Sequence, residues 1–118
     1  MTTLQTLAQQ QCAPRQQALP DNDVASLLAL LPDWRLQDGM LERTFQFKNY
    51  YQTLAFVNAL AYMTHIQDHH PELIITYKSC TARYTTHSVN QGAGGLSDND
   101  FICAARADAI YQHGQEAA

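Results

Sequence analysis

The stretch WRLQDGMLERTFQF, from Trp34 to Phe47, leaves the chain few options. Asp38-Gly39 sits between two alternating segments, and a two-residue hairpin loop needs positive φ at both central positions. Glycine takes that geometry freely and aspartate tolerates it. Before the pair, Trp34 and Leu36 alternate with Arg35 and Gln37. Beyond it, Leu41, Phe45 and Phe47 point one way, and Glu42, Thr44 and Gln46 point the other. Period-two alternation of this kind predicts a hairpin with one buried face.

The remaining segments read as the elements that cover such a sheet. Asn49 caps a helix over YYQTLAFVNALAYMTHIQDHH, in which Phe56, Leu60 and Met63 fall on one face, flanked by Val57, Ala59 and Ile66. At about 100° per residue, His65 lies opposite Phe56, on an arc with Asn58, Ala61 and His69. Pro71 disfavours helical geometry at His70, so the helix is predicted to end at Asp68 or His69. ELIITY and CTARYTT read as two further strands joined through Lys78-Ser79. In the second, Cys80, Ala82 and Tyr84 share one face, and Thr81, Arg83, Thr85 and His87 share the polar one. Ser97 and Asp100 form a capping box ahead of FICAARADAIYQ.

Toward the N-terminus, Asp21 or Asn22 caps DVASLLALL, which Pro32 ends. Residues 1–20 are Gln-rich, contain Pro14 and Pro20, and read as a flexible arm. The expectation is an arm over 1–20 followed by one domain over 21–118. Its order is α-β-β-α-β-β-α, an α+β fold with a four-stranded antiparallel sheet and helices packed on one face.

Composition narrows the function. A chain of 118 residues with 46% apolar content holds one domain with one ordinary core. Its net charge of −4 argues against a nucleic-acid surface. No apolar run approaches the roughly 18 residues of a membrane span, and the first residues lack the charged start and apolar stretch of a signal peptide. Cys12, Cys80 and Cys103 are odd in number and show no CxxC spacing, as expected of reduced thiols in the cytoplasm.

Four of the five histidines lie between His65 and His87. His65 and His69 have i, i+4 spacing, which invites a zinc reading with His87. A structural site lacks its fourth ligand, and no cysteine has suitable spacing. A Cys–His hydrolase is weaker, because Cys80 and Cys103 are placed like packing residues. GAGG is not a phosphate-binding pattern. Imidazole, with an unperturbed pKa of about 6.5, serves as acid or base at neutral pH. With one nearby carboxylate, Asp68, and no nucleophile, the cluster suits proton transfer, as in a dehydratase or isomerase.

The spacing also resembles the signature of the pterin-4a-carbinolamine dehydratases. His65, His69-His70-Pro71, Tyr77, His87 and Asp100 fall at the intervals of that signature. The segment TTHSV…GGLSDNDFICAA is similar to the family's, and LPDWRLQDGMLERTFQFKNYYQTLAFVNALA resembles its N-terminal half. The likeness runs over about residues 20–112. Two positions depart from it: His65 stands where an acidic residue is commoner, and SVNQGA (88–93) lengthens a loop.

The resemblance implies dehydration of 4a-hydroxytetrahydropterin to quinonoid dihydropterin by histidine acid–base catalysis, recycling the pterin of aromatic amino-acid hydroxylases. It implies His69, His70 and His87 as catalytic residues. Substrate contacts would come from His65, Asp68, Pro71, Tyr77, Thr86 and Asp100. No metal or other cofactor is implied. The implied partners are the pterin, a second copy of the chain in a homodimer or homotetramer, and a functional link to phenylalanine hydroxylase. The alternative it carries is a non-catalytic role as a dimerisation partner of a transcription factor or other protein.

Overall fold

A computed structural model describes residues 2–117, with side chains through residue 115. Residues 1 and 118, the outer limits of the expected arm and domain, lie outside the described residues. The helices are α1 (Leu4–Gln9), α2 (Asp21–Leu28), α3 (Tyr50–Gln67) and α4 (Asp98–Ala117). The strands are β1 (Arg35–Gln37), β2 (Met40–Gln46), β3 (Glu72–Ile75) and β4 (Ser79–Tyr84). A 3-10 turn covers Asn90–Gly92. From α2 onward the order is the expected one, and the sheet runs β1-β2-β4-β3 with every pairing antiparallel.

The first hairpin closes as its turn residues require. Asp38 and Gly39 have φ of 54° and 76°, and the register pairs Leu36 with Leu41 and Gln37 with Met40. That register puts Leu41 and Phe45 on the core face with Cys80, Ala82 and Tyr84 of β4. Phe56, Leu60 and Met63 of α3 and Phe101, Ile102 and Ala105 of α4 close over them. Trp34 packs edge-on against Phe45 at 5.9 Å, and its buried indole N–H donates to Asp108 Oδ1 at 2.8 Å.

On the opposite face, one register line carries Arg35, Glu42, Arg83 and Glu72 across all four strands. Arg83 Nε donates to Glu42 Oε1 at 2.7 Å, and Arg35 Nη2 donates to Oε2 at 2.9 Å. Glu42 therefore lies on the polar face, as its parity predicts, yet is buried beneath two guanidiniums. The hydrogen bond from Arg83, with that from Arg35 and both positive charges, holds its carboxyl below the usual carboxylate range against the opposing effect of burial.

Two expectations need correction. Asp21 is the first residue of α2 and Pro20 is its cap; Asp21 and Asp23 instead place negative charge in the first turn, where the helix dipole favours it. The N-terminal segment, expected as a flexible arm, is docked. Leu7 of α1 joins the core at 2% exposure, and the Gln-rich stretch after it is tied down by backbone hydrogen bonds. Cys12 N–H donates to Gln67 Oε1 at 2.8 Å, Ala13 exchanges two hydrogen bonds with the Asn99 side chain, and Leu19 N–H donates to Leu96 O at 2.8 Å. Every one of these partners lies more than 50 residues away in sequence, so local composition carried no sign of them. Leu7→Ala is expected to destabilise the protein by about 2–5 kcal/mol, the usual range for emptying a buried leucine site. Denaturant unfolding checks this, since a loosely attached arm would give an unchanged midpoint.

Candidate functional site

The site begins where α3 stops. Pro71 keeps His70 out of helical geometry, and the chain leaves the helix at Asp68 in the left-handed conformation (φ 51°, ψ 41°). That reversal separates two residues expected on one helical arc. His65, in the last turn of α3, remains exposed. His69, beyond the turn, points inward with its side chain only 12% exposed. The spacing His-x-x-x-His is thus a helical repeat in sequence but not in space.

His69 Nε2 lies 2.7 Å from Asp100 Oδ1, and the Asp100 side chain is fully buried. Asp100 is placed by the capping box read from the sequence. Ser97 N–H donates to Asp100 Oδ2 at 2.9 Å, and Asn99 N–H donates to Ser97 Oγ at 3.3 Å. Thr86, inward by the parity of β4, donates its hydroxyl to the same Oδ2 at 2.8 Å. Its oxygen then accepts from the Ser97 hydroxyl at 2.7 Å. An isolated bridge between Thr86 and Gly95, with hydrogen bonds in both directions, anchors this corner.

Asp100 therefore meets three donors, of which His69 is the titratable side chain. Burial disfavours a charged His69, but the hydrogen bond to Asp100 and its negative charge, helped by Cys12 and Asp68, outweigh it. The net effect holds the imidazole pKa above its ordinary value. The ring stacks on Tyr84 at 6.0 Å with an interplanar angle of 15°. Tyr84 is fully buried, and its hydroxyl has no hydrogen-bond partner among the described residues. A carboxylate-held imidazolium at the edge of an apolar floor can deliver a proton to a leaving group and keep its orientation while doing so.

Of the other residues singled out by the sequence, Pro71 is half-buried beside His69, and Asp68, His70 and His87 are exposed. His87 follows Thr86 directly and faces the other way, as strand parity predicts. Tyr77 is not part of this corner. It lies in the turn at the other end of β3, a strand's length from His69, and stacks on Tyr50 at 5.8 Å. Two residues of the corner were not anticipated as site residues. Ser97 was legible only as a helix cap, and Tyr84 only as an inward-facing strand residue. Among the described residues, no three His, Cys, Asp or Glu side chains gather closely enough to hold a metal ion.

Comparison with known proteins finds relatives in both sequence and fold. The sequence profile of the family "Pterin 4 alpha carbinolamine dehydratase" matches residues 17–110. A protein of Bdellovibrio bacteriovorus, provisionally named a pterin-4-alpha-carbinolamine dehydratase, is 52% identical over 97 residues, which cover 82% of this chain and 81% of that one. A Nitrosospira multiformis protein with the same provisional name is 44% identical over 114 residues, covering 94% and 97%. Among solved structures, a transcriptional coactivator/pterin dehydratase from Brucella melitensis superposes with a TM-score of 0.73 at 26% identity, over 80% of this chain and 99% of that one.

Proposed function

The chain belongs to the pterin-4-alpha-carbinolamine dehydratase family, and on that premise we propose that it is a hydro-lyase that dehydrates 4a-hydroxytetrahydropterin to quinonoid dihydropterin. The observation that carries the mechanism is the 2.7 Å pair of His69 and buried Asp100. His69, held protonated with its Nε2–H on Asp100, gives its Nδ1 proton to the hydroxyl at C4a as the C–O bond breaks and water leaves. A base takes the proton from N5, whose electron pair forms the new N5–C4a double bond. His70 and His87, both exposed on the segments that flank the pair, are the candidate bases. Thr86 and Asp100 act through His69 as positioning residues, and Asp68 and Pro71 shape the rim beside it. Roles for His65 and Tyr77 in substrate contact find no support within a single chain.

The reaction completes the cycle of an aromatic amino-acid hydroxylase, which leaves the 4a-hydroxypterin behind. Phenylalanine hydroxylase is the functional partner on this reading, and the cytoplasm is the compartment. No helix among the described residues is long and apolar enough to cross a membrane. Stopped-flow measurement with enzymatically generated 4a-hydroxytetrahydropterin tests the activity. Turnover is expected with and without chelator; no acceleration over the uncatalysed dehydration would refute the proposal.

The same reading includes self-association. Along α3, Tyr51, Tyr62 and Ile66 recur on the face turned away from the core, at 82%, 70% and 55% exposure. So large an apolar stripe on one helix marks a contact surface. A second copy of the chain is the proposed occupant, in a dimer or a tetramer. Light scattering is expected to report a multiple of 13.2 kDa at micromolar concentration; a monomer would contradict it. A second reading uses the same stripe to dimerise another protein; the similar Brucella melitensis protein is described as a transcriptional coactivator as well as a pterin dehydratase. Retention of dehydratase turnover after Tyr62→Glu, with loss of all association, would separate the stripe from the chemistry.

A further inference from the structure

The docked N-terminal segment brings Cys12 against α4, where its Sγ lies 3.5 Å from the Sγ of Cys103, a residue 91 positions away in sequence. Cys12 is half-buried, whereas Cys103 and Cys80 are buried. We propose that Cys12 and Cys103 form a reversible disulfide under peroxide, stapling the N-terminal segment to α4 behind His69.

Geometry favours this pair over any other. The sulfurs must close by only about 1.5 Å to reach bonding distance. Cys12 lies in an irregular stretch between α1 and α2, whose backbone can absorb that movement without breaking a helix or strand. Cys80 faces the core from β4, and the sulfur contacts of Cys12 and Cys103 among the described residues do not include it.

The chemistry divides the roles. The hydrogen bond from the Cys103 thiol lowers the Cys12 pKa, against burial, and His69, Arg106 and Arg15 act in the same direction as that bond. The same contact, with burial, raises the Cys103 pKa. Cys12 is therefore the attacking thiolate and Cys103 the resolving thiol. Cys12 sulfur attacks one oxygen of hydrogen peroxide, the O–O bond breaks, and hydroxide leaves and takes up the proton that the thiol had lost. Cys12 is now a sulfenic acid. Cys103 sulfur attacks it, the S–O bond breaks, and the departing hydroxyl takes the Cys103 proton as water. In total two thiols lose two electrons and one peroxide becomes two waters. A resolving sulfur held in contact completes the second step before further oxidation of Cys12.

The consequence reaches the site. Cys103 is one turn of α4 beyond Asp100, and its Sγ lies 4.0 Å from the carbonyl oxygen of His69. Cys12 is also one of the groups that raise the His69 pKa, and the disulfide removes its charge.

The test treats native protein with hydrogen peroxide, then counts free thiols and measures the intact mass. Three thiols are present at the start. The expected result is one remaining thiol, Cys80, with a mass lower by two hydrogens, restored by dithiothreitol. Cys12→Ser and Cys103→Ser are each expected to abolish that loss; the first is at a half-buried irregular position and the second keeps the size of the side chain. Retention of all three thiols would overturn the proposal. So would a stable gain of oxygen on Cys12, a cross-link between chains on a non-reducing gel, or an intramolecular disulfide that survives Cys103→Ser.

Discussion

Asp100→Asn is expected to lower turnover of the 4a-hydroxypterin by about 10²-fold or more, within the range for disabling a general acid, and to move the His69 titration downward. The reason is the donor count around residue 100. The Ser97 N–H and the Thr86 hydroxyl both point at one carboxylate oxygen, and His69 faces the other. An amide has one acceptor oxygen and one NH₂ group. The two fixed donors hold the oxygen on their side, so the NH₂ faces His69 and its Nε2 must accept. The ring is then neutral, with its proton on Nδ1. Burial, which lowers the pKa of His69, loses its main opponent.

The pH dependence follows with a definite sign. In the native protein the pKa of His69 is raised above its unfolded value near 6.5. The stability contributed by that shift is fully present below the unfolded value and is lost as pH rises through the folded value. The difference in thermal midpoint between native protein and Asp100→Asn should therefore be larger at pH 6 than at pH 9. The alkaline limb of the rate profile should move to lower pH in the variant. Proton NMR titration of the His69 ring gives the direct reading; an unchanged titration would show that Asp100 does not set the charge of His69.

His69→Ala and His87→Ala are both expected to reduce turnover by about 10- to 10⁴-fold, but only the first is expected to cost stability. His87 is exposed, and its removal should leave the midpoint almost unmoved. Removing the His69 ring leaves one oxygen of a fully buried carboxylate without its donor, at a cost of about 1–3 kcal/mol. Stopped-flow rates and denaturant unfolding on the same preparations separate the two effects. Native turnover in His87→Ala, with loss in His69→Ala alone, would remove His87 from the chemistry and leave His70 as the base. Native turnover in both would overturn the catalytic assignment.

These expectations rest on features that differ in how far the sequence alone could carry them. Most short-range patterns were legible, although the cap of α2 and the short helix α1 were not. Asp38-Gly39 marked the hairpin because only certain residues accept positive φ, and alternation around it named the buried face. Asn49, Ser97 and Pro71 marked helix ends because capping and pre-proline sterics act within a few residues. Strand parity alone placed His87 on the polar face, and it is exposed in the structure. The order of elements from α2 onward followed from the same local rules, and the spacing of the histidines carried the resemblance to the family.

What the sequence by itself determined, then, is the elements from α2 onward, their order, and which polar side chains gather between His65 and Asp100. Which of those residues meet was decided only by the tertiary structure. One left-handed residue, Asp68, turns His69 out of the arc it would share with His65 and into the reach of Asp100, 31 residues on. The same is true of the Gln-rich N-terminus, which looks mobile by composition. It is held by Gln67 and Asn99, side chains contributed by the end of α3 and the start of α4. The physical reason is common to both. Backbone propensity is a property of neighbouring residues, whereas a buried hydrogen bond depends on which distant groups the packed core brings within about 3 Å.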